Sequence, residues 1–255
     1  MANPNAGRFV WHEIMSQDLP KALKFYSALF GWTVKEMDVP SGKYSMLMKG
    51  DVPVGGGMAA PPGVPAHWMT SMGVEDCDAA AKRITELGGK VLMPPTTVPD
   101  MVRFAVAMDP QGASFSVVQG LGPSANTPPY DGPARPGTFT WSELHTSDVE
   151  GAKKFYTSLF GWTGKTSEGD AYWHWQNHGK DIGGMMALKM PNVPPNWLGY
   201  IDVTDVDADT KKTKELGGKV LMEPIDMPKV GKFSVVQDPT GGTFALFKAH
   251  AHAHH

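Results

Sequence analysis

Two glutamates sit in the same short phrase at two places in the chain. Glu13 lies in Trp11-His-Glu-Ile-Met-Ser and Glu143 in Trp141-Ser-Glu-Leu-His-Thr. On a β-strand, residues two apart share a face, so each glutamate stands beside its tryptophan. Such a pair offers an acid or base next to an apolar wall. A carboxyl desolvated by an indole has its pKa pushed up, toward the range that general acid–base catalysis uses. The same residues equally suit a structural role, in which an ionised carboxylate bonded to a backbone N–H or an indole pins the strand. On sequence alone both readings stand. The second row continues to His145 where the first has Met15, while His12 and its counterpart Ser142 point to the opposite face. Glu143 and His145 could supply two metal ligands, but no third is identifiable.

Further candidates for the wall of a ligand pocket are Met46, Met58 with its repeat partner Met185, the pair Trp68 and Trp197, and Trp173 with Trp175. The chain has 16 methionines and 8 tryptophans. Methionine suits an adaptable pocket and tryptophan a flat ligand, although each also suits a core. His174, between Trp173 and Trp175, faces away from them if the segment is a strand, which makes it a weak candidate. The runs Gly55-Gly56-Gly57-Met58 and Gly183-Gly184-Met185 lack the strand–helix setting of a dinucleotide site and read as a bulge or a close backbone approach. The single cysteine, Cys77, falls at a loop-to-helix junction and reads as an ordinary thiol.

The elements that must position these residues also occur twice. Trp11–Thr33 and Trp141–Thr163 share twelve of 23 positions. Glu86-Leu-Gly-Gly-Lys-Val-Leu-Met returns from Glu215, and Met108-Asp-Pro-Gln-Gly matches Gln237-Asp-Pro-Thr-Gly. The repeat defines modules at 8–119 and 138–248, a Pro- and Gly-rich linker at 120–137, and a His-rich tail at 249–255 that reads as a tag. Within each module a strand leads to an Asp N-cap (Asp18, Asp148). A helix follows with apolar residues at i, i+3/i+4 and i+7, stopped by Gly31 or Gly161. Three strand-like stretches come next, then a further strand, a second helix ending at paired glycines, and three more strands. The expectation is an α+β fold of tandem βαβββ units, four in total, forming two curved-sheet modules.

Composition removes several function classes. A net charge of −3 over 255 residues, without a basic run, gives no basis for nucleic-acid or anionic-membrane binding. One cysteine excludes an intrachain disulfide, and no apolar run reaches 18 residues. A cytoplasmic protein is expected, monomer or homodimer, whose partner is a small molecule.

The order of elements, with Asp-x-x-x-Ala-x-x-Phe-Tyr-x-x-Leu-Phe-Gly-Trp after the first strand, Glu-Leu-Gly-Gly-Lys-Val after the second helix and Asp-Pro-x-Gly before the last strand, resembles the vicinal oxygen chelate superfamily. That superfamily includes glyoxalase I, bleomycin-resistance proteins and extradiol dioxygenases. The resemblance implies glyoxalase-like modules whose curved sheets each enclose a cavity. It also implies a divalent metal, held by His and Glu from the first and last strands, which chelates substrate oxygens. Here the first-strand ligand positions are Trp11 and Trp141, and the last-strand positions are Ser116 and Ala245. In the second units the corresponding first-strand positions are Met69 and Leu198, and nearby His67 becomes Asn196 in the other copy. None of the six ligand positions suits a metal, so neither a family-type metal nor another cofactor is expected. The expected function is binding of a small, partly aromatic or oxygenated metabolite in an apolar pocket, with Glu13 and Glu143 as candidate catalytic groups. Trp11, Ser116, Trp141 and His145 join the wall candidates. The alternatives are a sequestration protein without catalysis and a glyoxalase I-like metal-dependent lyase.

Overall fold

The computed structural model describes residues 3–40, 42–122, 125, 134–167 and 171–250. Most of the linker and the His-rich residues 251–255 thus lie outside the described residues. The chain is α+β, with two eight-stranded sheets, one per sequence module. The N-terminal module runs β1 (Phe9–Ser16), α1 (Leu19–Phe30), β2 (Thr33–Val39), β3 (Gly42–Lys49), β4 (Val52–Ala59), β5 (His67–Gly73), α2 (Cys77–Glu86), β6 (Lys90–Val98), β7 (Val102–Met108) and β8 (Ser114–Gly120). The C-terminal module repeats the order as β9 (Phe139–Thr146), α3 (Val149–Phe160), β10 (Thr163–Thr166), β11 (Trp173–Asn177), β12 (Lys180–Ala187), β13 (Asn196–Asp202), α4 (Val206–Glu215), β14 (Lys219–Met227), β15 (Gly231–Gln237) and β16 (Thr243–Ala249). Strand order is β2-β3-β4-β1-β5-β8-β7-β6 and, identically, β10-β11-β12-β9-β13-β16-β15-β14. The helical crossovers make β1/β4, β5/β8, β9/β12 and β13/β16 parallel, and the hairpins between them are antiparallel.

The helices start and stop where the sequence predicts. Asp18 accepts the Lys21 N–H at 3.3 Å and Asp148 that of Gly151 at 3.0 Å, while Gly31 and Gly161 close the helices at φ 68° and 71°. A left-handed residue there costs glycine little and any side chain more.

Compactness divides the chain differently from its sequence repeat. One unit comprises residues 1–11, 69–132 and 142–197, and the other 12–68, 133–141 and 198–255. Each combines half of one module with half of the other. In the first unit, α2 and α3 pack with Met72, Phe115, Val117, Leu144, Trp162, Trp175 and Trp197. In the second, α1 and α4 pack with Ile14, Leu47, Trp68, Ile201, Phe244 and Leu246.

Each core is threaded by one polar chain. In the first unit the Trp197 indole N–H donates to the Tyr156 hydroxyl at 3.0 Å, which donates to Asp109 at 2.9 Å. In the second, Trp68 donates to Tyr26 at 2.8 Å and Tyr26 to Asp238 at 2.7 Å. The aspartates are 3% and 2% exposed, so these bonds replace the water they have lost. The other oxygen of Asp109 accepts the backbone N–H groups of Gln111, Gly112 and Ala113 at 2.8–2.9 Å. That of Asp238 accepts from Thr240 and Gly241. The aspartate thus folds the Asp-Pro-x-Gly turn and holds it to a helix of the other module. Burial, with the aspartate alongside, drives both tyrosine hydroxyls well above their ordinary pKa, so they remain donors. The tryptophan of Phe-Gly-Trp-Thr supplies a second tie, as Trp32 donates to the Gly137 carbonyl at 2.9 Å and Trp162 to Gly7 at 2.7 Å.

His12 lies on the helix-facing side of β1, 7% exposed and stacked on Phe139 with ring centroids 3.9 Å apart. Burial depresses its pKa from 6.5 to about 3. Cys77 is also buried, and its thiol is pushed up to about 11, first by burial and then by Asp78. It stays a thiol at neutral pH.

Two outcomes follow. Tyr156→Phe leaves a buried carboxylate and a buried indole N–H each short of one partner, so it should cost about 1–3 kcal/mol. The urea midpoint should fall with no change in slope, and an unaltered midpoint would show that the polar chain contributes nothing. Because the folded His12 refuses the proton that the unfolded chain takes, its contribution is complete above about pH 6.5. It is lost as pH falls toward 3, at up to roughly 1.4 kcal/mol per unit. Between pH 6 and 4 the wild-type chain should therefore lose stability more steeply than His12→Phe, and parallel slopes would refute this account.

Candidate functional site

Alternation along β1 puts His12, Ile14 and Ser16 against the helices and leaves Trp11, Glu13 and Met15 on the opposite, partly open face. β9 does the same with Trp141, Glu143 and His145. Strand register then decides what meets each carboxylate. Glu13 is paired with Gly56 of β4, and Gly56 with Met46 of β3. Glu143 is paired with Gly184 of β12, and Gly184 with His174 of β11. Both central positions are glycine for a steric reason. A Cβ on Gly56 would overlap the Tyr44 hydroxyl, and one on Gly184 the Tyr172 hydroxyl. The missing side chain is a slot across which a tyrosine reaches the glutamate.

In the C-terminal module the Tyr172 hydroxyl donates to one Glu143 oxygen at 2.7 Å, and the other oxygen lies 2.6 Å from His145 Nε2. Glu143 is 6% exposed, and His145 somewhat more open. The His174 ring packs edge-on to Tyr172 at 5.0 Å. Its Nε2 lies 2.7 Å from the Ser167 hydroxyl, and its Nδ1 3.4 Å from Asp181. In the N-terminal module Tyr44 bonds Glu13. Burial raises the Glu13 pKa, and the Tyr44 bond offsets part of that rise.

Several expected wall residues are corrected by this register. Trp68 and Trp197 are the core indoles bonded to Tyr26 and Tyr156, on the helix side of the sheet. Trp175 is fully buried in the same core as Trp197. Trp173 packs against that core, with the Lys153 ammonium of α3 4.2 Å above its ring. Met185 pairs with Leu144 and is buried with it, so the residue matching Met58 is Met186, one position on. A one-residue slip along a strand moves a side chain to the other face. His174 does face away from the two tryptophans, but that direction is the one Tyr172 and Glu143 share.

The other candidates separate. Met46 and Met58 lie on the Glu13 face beside Gly56 and Met15. Ser116 is paired with Ser71, whose hydroxyl it meets at 3.3 Å. Trp141 packs with Tyr200, Phe233, Val235 and Phe247. Trp11 is partly buried on the Glu13 face of its strand. His67 Nδ1 and Asn196 Nδ2 each lie within 2.9 Å of the carbonyl two residues back, which explains their exchange in the repeat. Tyr44 and Tyr172 were not among the expected residues.

A family-type metal does not fit these residues. Two of the expected ligand positions are indoles, one is a serine hydroxyl paired with Ser71 and one is the methyl of Ala245. Both Glu143 oxygens already have partners. Among the described residues, no group of three His, Cys, Asp or Glu side chains is gathered to hold a metal ion. No helix among them is long and apolar enough to cross a membrane.

Comparison with known proteins agrees with this architecture. The model of the Glyoxalase/Bleomycin resistance protein/Dioxygenase superfamily matches residues 8–117 and again 138–246. A protein of Mycobacterium tuberculosis named "Putative glyoxylase CFP32" is 34% identical over 247 residues, 93% of each chain. The "Anthracycline biosynthesis protein DauV" of Streptomyces sp. is 32% identical over 94% of this chain and 92% of its own. Among solved structures, the Mn(II)-bound glyoxalase of Novosphingobium aromaticivorans superposes with a TM-score of 0.67 at 16% identity, covering 98% of this chain and 86% of that one. The 2,3-dioxygenase LapB of Pseudomonas sp. KL28 gives 0.65 at 14% identity, covering 96% and 94%. At such identities the solved structures speak for the fold alone. The chain belongs to the glyoxalase/bleomycin resistance protein/dioxygenase superfamily and carries its module twice.

Proposed function

We propose that the C-terminal module performs metal-free acid–base chemistry on a small oxygenated metabolite, with Glu143 as the proton-transferring group. The observation that carries this reading is the carboxylate flanked by Tyr172 at 2.7 Å and His145 at 2.6 Å on a partly open sheet face. A carboxylate oxygen has two lone pairs, so each still has room for a substrate proton. Glu143 would take a proton from carbon next to a carbonyl. The electron pair left behind moves onto the carbonyl oxygen, where a His145 N–H, or the Tyr172 hydroxyl once it turns from the protonated Glu143, donates to it. Where the carbon that lost the proton carries a hydroxyl, transfer of that hydroxyl's proton to the former carbonyl oxygen and return of the Glu143 proton to the former carbonyl carbon complete an isomerisation. Where the next carbon, β to the carbonyl, carries a leaving group, its departure with the bonding electron pair completes an elimination. The names of the relatives, tied to a glyoxylase and to anthracycline biosynthesis, favour an oxygenated and partly aromatic ligand.

The test is deuterium exchange next to the carbonyl, followed by NMR over a panel of aromatic α-hydroxyketones and hemithioacetals. Glu143→Gln should lower the rate by about two orders of magnitude or more with little change in KM, as expected for a lost general base. Unchanged exchange in that variant would remove Glu143 from the chemistry, and saturable binding without any exchange would leave a sequestration protein. Stoichiometric Ni, Zn, Fe or Mn on a chain lacking residues 249–255, with activity lost on chelation, would overturn the metal-free reading. Gly184→Ala offers an independent check, because its methyl displaces the Tyr172 hydroxyl without touching Glu143 chemically. It should reproduce the kinetic defect of Tyr172→Phe, and wild-type kinetics in Gly184→Ala would show that the tyrosine bond is dispensable.

A further inference from the structure

Register-matched positions show how far the two glutamate faces have diverged. The scaffold is the same, Glu13-Tyr44-Gly56 against Glu143-Tyr172-Gly184. Around it, three side chains able to hydrogen-bond in the C-terminal module, His145, His174 and Gln176, are methionine in the N-terminal one. Met15 stands where His145 does, two residues beyond the glutamate. Met46 stands where His174 does, each paired with the slot glycine. Met48 stands where Gln176 does, each paired with the corresponding β4 or β12 residue, Pro53 or Asp181. Met58, paired directly with Met15, lies on the same face and is methionine in both modules, its counterpart being Met186. All four methionines are partly exposed, whereas the neighbouring Ile14 and Leu47, turned to the helices, are fully buried. The sulfur side chains therefore line the open face and are not core filling.

We infer that the N-terminal module holds a second, binding-only site for a neutral aromatic ring carrying a hydroxyl group. Thioether side chains are polarisable, flexible and favour contact with ring edges, which suits a flat apolar ligand better than a charged one. The Glu13–Tyr44 pair is the polar anchor on this face, and a carboxyl there can accept the ligand's hydroxyl proton in a hydrogen bond. What the C-terminal face has and this one lacks is an imidazole beside the carboxyl to share a proton. Burial of Glu13 further favours its neutral form and a neutral ligand. The inference rests on the same view of the open sheet face as the acid–base proposal, but it requires no turnover.

The experiment uses the full chain labelled with [13C-methyl]methionine and titrated with 2-naphthol, a probe uncharged at neutral pH. The methyl signals of Met15, Met46, Met48 and Met58 are assigned by single Met→Leu variants. Saturable shifts at those four methyls, persisting in Glu143→Gln, are the expected result. Met46→His installs the residue the other module carries at that register, so the fold should tolerate it. Its affinity for the probe should fall roughly three- to tenfold, the range of one lost sulfur–aromatic contact. 2-Methoxynaphthalene, which has no hydroxyl to donate, should bind more weakly than 2-naphthol. No saturable shift up to the probe's solubility limit overturns the inference, as does loss of the shifts in Glu143→Gln. Equal binding of the two naphthalenes overturns Glu13 as the anchor. Failure of the acid–base proposal would appear instead as unchanged exchange in Glu143→Gln, which the methyl titration does not read.

Discussion

Tyr26 and Tyr156 spend their hydroxyls in the same way, each on an aspartate that belongs to the other sequence module. That bond does more than tie two segments. Each aspartate is almost fully buried and must keep several donors to remain so, and it finds them in its own Asp-Pro-x-Gly turn and in one tyrosine. Neither half-module can satisfy the group by itself, so a helix from one repeat and a terminal hairpin from the other are needed together. The compact units accordingly exchange halves of the two modules, although each sheet is drawn from one module. Duplication supplied two equivalent copies of each partner, and the pairing chosen is the reciprocal one.

This commitment sorts the aromatic residues. The helix-facing side of the sheets absorbs Trp32, Trp68, Trp162, Trp175 and Trp197, several with their indole N–H bonded internally. Polar groups capable of chemistry are left to the opposite face. There the limiting feature is space, because a tyrosine hydroxyl reaches the glutamate only across a residue with no side chain. Gly56 and Gly184 are the centre of that arrangement although neither carries a functional group. With the slot open, each glutamate is bonded by its tyrosine, and what varies between the copies is the side chain two residues on, imidazole in one and thioether in the other.

Much of the fold is legible in the sequence, since helix caps at Asp18 and Asp148, glycine stops and Asp-Pro-x-Gly turns are local devices that act within a few residues. Strand alternation likewise puts Trp11 with Glu13 and Trp141 with Glu143. Alternation does not say which of two faces is the core, however, and that is where Trp173 and Met185 went astray. Both faces of β11 and β12 carry large side chains, and the choice falls to packing under α3, which no local pattern encodes. The tyrosines were hidden by a change in spacing. Glu13 and Glu143 are 130 apart, but Tyr44 and Tyr172, like Gly56 and Gly184, are 128 apart. Aligning the glycine runs by their following methionine shifts that strand by one residue. A tyrosine recurring 128 residues on, twelve residues before a glycine in both copies, is the signal that identifies the pair.

The tryptophan at the family's metal position bears on how reversible this design is. Two residues along a strand is roughly 7 Å, so the glutamate does not sit where the metal-binding imidazole of relatives would be. The two oxygens of Glu143 lie 2.6 Å from His145 Nε2 and 2.7 Å from the Tyr172 hydroxyl, where a metal enzyme would use the cation. Returning a histidine to position 11 or 141 would restore one ligand and leave the facing position as Ser116 or Ala245, which the strand registers pair with Ser71 and Tyr200. The glutamate would then have to abandon a buried hydrogen bond to serve a metal, at a cost of the order of 1–3 kcal/mol for each partner left unmet. A metal centre and the glutamate–tyrosine pair would therefore compete for the same carboxyl oxygens on this sheet face. Both modules hold the glutamate–tyrosine pair.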